Sequence, residues 1–278
     1  MSCPLDASTH DFLQGPPQLE TAQARSWITR AANFVVAYTR AQAGAVLARA
    51  AHPDEYMVFS LDAQARVHAA GEEQALPPNT LAIVPPGASR VEVDQPGTLV
   101  LLFSNRAADL LALAANAAHY AGGAPGVAPL ADFPAAPGGL RLRTYRVDEH
   151  RPEEGNMCVF RSSNLMLNIM RPRQGPRDTR VLSPHQHEDF EQGSLALQGD
   201  WMHHLRYPWT KDMSQWREDA HVSIGSPSLL VIPPKVIHTS HNVSPGQSWL
   251  LDIFAPPRHD FCARPDVVRN AADYPYPG

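Results

Sequence analysis

The sequence predicts an all-β protein built from two related barrels in tandem, and three observations predict it: paired prolines, short apolar segments between them, and an internal repeat. Prolines number 27, several of them in pairs (Pro16-Pro17, Pro77-Pro78, Pro85-Pro86, Pro233-Pro234 and Pro256-Pro257). A proline donates nothing to a sheet ladder and breaks a helix interior, so the pairs divide the chain into short segments, as in a turn-rich barrel. Alternating or β-branched stretches lie between the breaks: Phe34 to Tyr38, Tyr56 to Leu61, Leu81 to Val84, Thr98 to Phe103, Asn164 to Met170, Ser194 to Leu197, Ser228 to Ile232 and Ser248 to Phe254. Each has the length and composition of a short strand.

The repeat organises these strands into domains. Ser228-Leu-Leu-Val-Ile-Pro-Pro-Lys-Val-Ile-His238 lies over Thr80-Leu-Ala-Ile-Val-Pro-Pro-Gly-Ala-Ser-Arg90 without a gap. A second match lays Glu55 to Asp62 over Gln192 to Gly199, with an offset that differs by eleven residues. The polar, aromatic stretch around Arg206 to Trp216 would supply that insertion. Between the halves, Ala107 to Tyr120 is rich in Ala and Leu and predicts a helix, and the Gly/Pro-rich Gly122 to Gly139 reads as a linker. Arg171 to Arg180, with Pro172, Gly175 and Pro176, reads as a loop. The expected division is a first barrel over 28–106, helix and linker over 107–140, and a second barrel over 141–260.

Composition narrows the functional classes. With 278 residues, 44% hydrophobic and 18% charged, the chain can bury one large core or two ordinary ones and is not a disordered segment. A net charge of −5 without any Lys/Arg-rich run argues against a nucleic-acid partner. Cys3, Cys158 and Cys262 form no CxxC pair and leave one thiol over in any disulfide scheme, which fits a reduced, cytoplasmic setting. Met1 to Thr21 carries Asp6, Asp11 and Glu20 and no apolar run, so no signal peptide is expected. Ala107 to Ala118 is interrupted by Asp109 and Asn116 and is too short to cross a bilayer, so no membrane partner is expected.

The chemistry concentrates around Pro184-His185-Gln186-His187. On a strand, residues two apart share a face, so both imidazoles can reach one metal ion, and neutral imidazole is the commonest protein ligand. Gln192 follows five residues later, then Gly199. His238 follows the Pro-Pro end of a later strand, with Asn242 four residues on.

These residues resemble the two motifs of the cupin family. The first motif there runs His-x-His, three or four residues, Glu, six residues, Gly; here it is His185-x-His187, four residues, Gln192, six residues, Gly199. The second runs Gly, Pro-x-Gly, two residues, His, three residues, Asn; here it is Gly225, Pro233-x-Lys235, two residues, His238, three residues, Asn242. The resemblance implies two double-stranded β-helix (jelly-roll) barrels and one divalent metal held by His185, His187, Gln192 and His238. Three departures stand out: Lys235 replaces the usual glycine, Gly225 lies farther from the proline than usual, and Gln192 stands where the family has Glu. Glu191 also falls within the allowed spacing and is the alternative fourth ligand. Carried through the repeat, the ligand positions become Ala48, Ala50, Glu55 and Arg90. Alanine has no donor atom and Arg90 stays protonated, so the first barrel is expected to be degenerate and the protein to hold one metal per chain. His52, before Pro53, is a candidate remnant ligand, with a lone exposed histidine as the plainer reading.

Further polar residues are candidates for the pocket. Arg171 and Arg206 could bind a substrate carboxylate through the guanidinium fork, and Trp201, with Trp209 and Trp216, could wall or cover the site. Asn168 shares a strand face with Met166 and Met170, and only one of the adjacent His203 and His204 can face inward. His241 and Glu191 are candidate general bases.

The resemblance implies a metal-dependent enzyme, foremost a non-haem Fe(II) dioxygenase acting on a small anionic organic substrate, with Mn, Ni or Zn as other metals. Two alternatives stay open: an O₂-independent isomerase or lyase of a sugar acid or small carboxylate, with Glu191 or His241 as base, and a non-catalytic, metal-dependent small-molecule binding protein. Two-barrel cupins often assemble further, so a homo-oligomer is expected.

Overall fold

The computed structural model describes residues 4–134 and 136–276; Cys3 lies outside them. Each half is a pair of antiparallel sheets. In the first, a large sheet holds Ala24–Arg30, Phe34–Ala41, Tyr56–Ser60, Thr80–Val84 and Gly97–Ser104, and a smaller one holds Val46–His52, Gln64–Ala69, Glu72–Leu76 and Gly87–Gln95. In the second, the large sheet holds Val159–Arg161, Met166–Ile169, Gln192–Gln198, Ser228–Ile232 and Gln247–Phe254, and the smaller one Trp201–Arg206, Ala220–Ile224 and Ile237–Asn242. The hairpin of the second small sheet is joined by 207–219, where the first uses only Ala70 and Gly71, and this supplies the expected insertion.

Two strands cross the division at 28–106 and 141–260. Ser8–Asp11 pairs with Ser228–Ile232 of the second barrel, and Arg143–Arg146 pairs with Thr80–Val84 of the first. Each half therefore completes the other's large sheet. Of the helix expected over Ala107 to Tyr120, only Ala108–Leu113 is α-helical, followed by a 3₁₀ turn at Ala117–Tyr120. Asn116 ends it by bonding the backbone N–H and C=O of Arg30 at 2.9 and 2.8 Å, as a strand neighbour would. No described helix is long and apolar enough to cross a membrane.

The large sheets pack back to back. Alternation along each strand sends one set of side chains into its own barrel and the other into the joint. Met57, Phe59, Leu81, Ile83, Val100 and Leu102 meet Leu167, Ile169, Leu195, Leu229, Leu251 and Ile253 in one continuous apolar core. The first barrel's interior is a separate cluster, dominated by Ala, Val and Leu.

This packing corrects the alignment of the repeat by one residue. Tyr56 pairs with Val84 and Gln192 with Ile232, and Val84 and Ile232 are equivalent in the gapless Pro-Pro match. Gln192 therefore corresponds to Tyr56, not to Glu55, and Glu55 corresponds to Glu191. A one-residue shift moves a strand side chain to the opposite face, and both glutamates face the joint. Glu191 accepts from the Ala32 N–H (2.6 Å) and the Tyr120 hydroxyl (3.0 Å). Glu55 accepts from the Ser163 N–H (2.9 Å) and the Tyr274 hydroxyl (2.6 Å). The two buried carboxylates fasten the barrels in the same way, each gripping a turn of the other half.

Candidate metal centre

Three histidines converge inside the second barrel. His185 and His187 lie on a loop rather than in a named strand, but His185 forms a single antiparallel bridge with His238, the two backbones exchanging hydrogen bonds of 3.1 and 2.8 Å. One ring nitrogen from each of His185, His187 and His238 lies within 4.8 Å of the others. His185 Nδ1 faces the Ser183 carbonyl and His238 Nδ1 the Val236 carbonyl, both at 2.9 Å. Those carbonyls can only accept, so the protons sit on Nδ1 and the Nε2 lone pairs turn to the centre. Burial lowers His187 to about 3 and His238 to about 4, so both rings are neutral donors near neutral pH.

Gln192 completes the cluster. Its Oε1 lies 2.8 Å from His187 Nε2 and 3.3 Å from His238 Nε2. The amide's orientation is fixed from behind, because Nε2 donates to Asp252 Oδ1 (3.0 Å) and Ser194 Oγ (3.1 Å). Asp252 is itself held by Asn168 at 3.4 Å, and burial pushes it up to about 6 against the opposing effect of its hydrogen bonds. Three imidazoles and an inward amide oxygen suit a divalent ion of borderline character, and the outer contacts orient each donor.

Lys235 takes the glycine's place in the turn before His238. It adopts the left-handed backbone (φ +65°), and its N–H bonds the His187 carbonyl at 2.6 Å. Gly199 (φ +82°) is required by space as well, since a Cβ there would lie 2.5 Å from Ser248 Oγ. The cavity beside the centre measures about 360 Å³ and has Arg171, Arg173, Arg177 and Arg258 in its lining, together with Trp201 and Met170. Arg177 is braced on the Ser240 and Val181 carbonyls, each at 3.1 Å, and Arg258 lies 3.8 Å over the Phe261 ring.

Several expected residues stand elsewhere. Glu191 neighbours Gln192 on a strand and so points to the opposite face, into the joint between barrels; it is neither a ligand nor near the cavity. Arg206 is on the outer surface, paired with Asp219 at 2.9 and 2.5 Å. His241 faces outward too, since it is separated from His238 by an odd number of strand positions; it stacks on His204, which bonds His221. His203 is the inward member of its pair, buried against Ser240 Oγ at 2.6 Å. Trp209 and Trp216 stack on each other at 4.3 Å away from the cavity lining. His52, expected to be exposed, is buried 3.1 Å from Asp54. Asp252, Arg177 and Arg258 were not anticipated, although a lone acid inside Trp249-Leu-Leu-Asp-Ile-Phe254 is a legible signal of a buried polar contact.

In the first barrel the transferred positions Ala48, Ala50 and Arg90 face outward and are exposed. The inward rung is Arg49–Ser89, and Tyr56, at the Gln192 position, bonds Ser89 Oγ at 2.9 Å. Among the described residues, a three-donor cluster of His, Cys, Asp or Glu occurs only in the second barrel.

No family profile matches the chain, and no curated relative matches it in sequence. In structure it is similar to oxalate decarboxylase from Bacillus subtilis (TM-score 0.60, 16% identity, covering 89% of this chain and 76% of that one). It is also similar to the oxalate decarboxylase–formate complex from Lactobacillus farciminis (0.60, 16%, 90% and 86%) and to AerE from Microcystis aeruginosa (0.56, 11%, 92% and 99%). Another structure of the Bacillus subtilis enzyme concerns its Mn(II) centres. At these identities the likeness establishes the fold, all-β with cupin barrels.

Proposed function

We propose that the second barrel is a mononuclear metal centre, with His185, His187, His238 and the Gln192 amide oxygen as ligands, and that the protein is a non-haem Fe(II) dioxygenase acting on a small organic anion. The observation that carries this is the locked Gln192 amide, which presents a neutral oxygen where a carboxylate would add charge. A wholly neutral donor set leaves the ion's positive charge available to an anionic substrate. Bound Fe(II) would supply open coordination positions for a chelating anion and for O₂.

The chain's own residues do the rest. Arg171, Arg173 and Arg177 draw a carboxylate into the cavity and orient it, while Arg258 in the same lining is held by Asp260 at 3.0 and 2.7 Å. Trp201 and Leu250 exclude water on the apolar wall. Among the described lining residues, no acid or imidazole stands free as a general base, since Asp252 is engaged behind Gln192. Chemistry that depends on proton abstraction is therefore the weaker reading.

That second reading, O₂-independent cleavage of a small carboxylate with Mn(II), is favoured by the structural likeness to oxalate decarboxylases. Iron- and manganese-loaded protein, offered a panel of small mono- and dicarboxylates with and without O₂, separates the two. O₂ consumption in step with substrate loss by the iron form is the expected result. Equal turnover without O₂, with CO₂ released, would establish the second reading instead.

A further inference from the structure

We propose that the interior of the first barrel is a second ligand-binding site, one that takes a neutral, single-ring aromatic molecule. The barrel holds a cavity of about 240 Å³ reaching Tyr56, the counterpart of Gln192. Its walls include Ala24, Ile28, Ala37, Leu101, Phe103 and Leu110, and the short side chains of the alanines leave the space. A dry apolar cavity of about 150 Å³ admits benzene, so this one accepts a ring with a short substituent. Leu19 and Val46, 44% and 55% exposed, continue the apolar lining to the rim. Exposed apolar side chains at a concave mouth, here beside Glu20 and Thr21, are a mark of a binding site.

The polar groups select the ligand's charge. Arg49 lies over the Phe103 ring at 5.5 Å, but both of its Nη atoms are held by Asp109, at 2.6 and 2.9 Å. Arg49 Nε is buried without a partner, so one acceptor oxygen can bond it while Asp109 keeps the pair's charge neutralised, which favours a neutral ligand over a carboxylate. Deeper in, Ser26 Oγ and Thr39 Oγ1 are buried 2.8 Å apart. One hydroxyl donates to the other, which leaves one hydroxyl hydrogen for an acceptor on the ligand. Phenols and benzylic alcohols combine these features. The second barrel, with Arg171, Arg173 and Arg177 in its cavity lining, selects the opposite charge.

The test uses p-cresol and benzoate on the full chain, read by calorimetric titration and thermal unfolding. At ten times its Kd, p-cresol should raise Tm by roughly 3 °C, equally in wild type and in His185→Ala. Any shift that benzoate gives in His185→Ala should be unaffected by substitution at Ala37. Ala37→Leu, which fills the cavity, should weaken p-cresol at least tenfold while metal loading of the second barrel reports an intact fold; Ala37→Val is the milder variant and should weaken it less. Absence of p-cresol binding overturns the proposal. So does binding that neither Ala37 variant weakens, binding abolished by His185→Ala, or benzoate binding in that variant that Ala37→Leu weakens as much as it weakens p-cresol.

Discussion

In the second barrel the rung His185–His238 and the strand position of Gln192 aim donor atoms into the interior; in the first, Arg49–Ser89 and Tyr56 stand at the corresponding places. The sheets around them are alike, and so is the joint, where Glu191 and Glu55 each grip a backbone N–H and a tyrosine hydroxyl of the other half. The joint is symmetric while the interiors differ. The fold is thus held by features common to both barrels, and the proposed metal centre depends on a few inward positions that differ.

That division can be broken by substitution. Glu191→Ala leaves the Ala32 N–H and the Tyr120 hydroxyl without a partner, each costing about 1–3 kcal/mol. It should destabilise the protein by about 3 kcal/mol in chemical denaturation while the folded protein keeps its metal, and Glu55→Ala should behave alike. Full stability with loss of metal or turnover would move Glu191 from the joint to the chemistry. Next in size, Asp252→Ala frees the Gln192 amide and should weaken metal affinity about 10–100-fold, as measured by competition with a chelator. Tyr56→Phe, at the matching place in the first barrel, should leave metal affinity unchanged and cost only about 1 kcal/mol of stability.

The interiors should also differ in their response to pH. His187 and His238 stand at about 3 and about 4 in the metal-free fold, chiefly through burial, against an ordinary value of 6.5 when unfolded. The unfolded chain therefore takes up protons that the folded chain does not. Their contribution to stability is complete above about pH 6.5 and is lost as the pH falls toward 4. Denaturation midpoints of metal-free protein should drop between pH 7.5 and 5, and His187→Ala should flatten the slope. An unchanged slope in that variant would remove His187 from the account. The smallest effect is expected at Lys235, whose left-handed backbone disfavours any side chain. Lys235→Gly should stabilise by about 0.5–1 kcal/mol, and a loss of stability would show that the lysine side chain contributes more than its backbone costs.

The strands legible in the sequence all belong to the two large sheets, although Ala24–Arg30 and Val159–Arg161 of those sheets were not anticipated. Buried on both faces, between a barrel interior and the joint, they read as continuous apolar runs such as Leu81 to Val84 and Ser248 to Phe254. The small-sheet strands were missed because one face meets solvent and carries charge, as in Glu72–Leu76 and Gly87–Gln95. The three histidines and Gln192 were legible from spacing. Facing was not, because a one-residue error in register exchanges interior for exterior: that is why Glu191 and His241 were candidates for chemistry. Arg206 was misplaced for another reason, since its partner Asp219 lies beyond the long hairpin loop.

The central claim is that the second barrel alone holds a metal, and the metal content of purified protein tests it most directly. One divalent ion per chain is expected in wild type and none in His187→Ala. Two ions per chain, or equal loading of the variant, would contradict it.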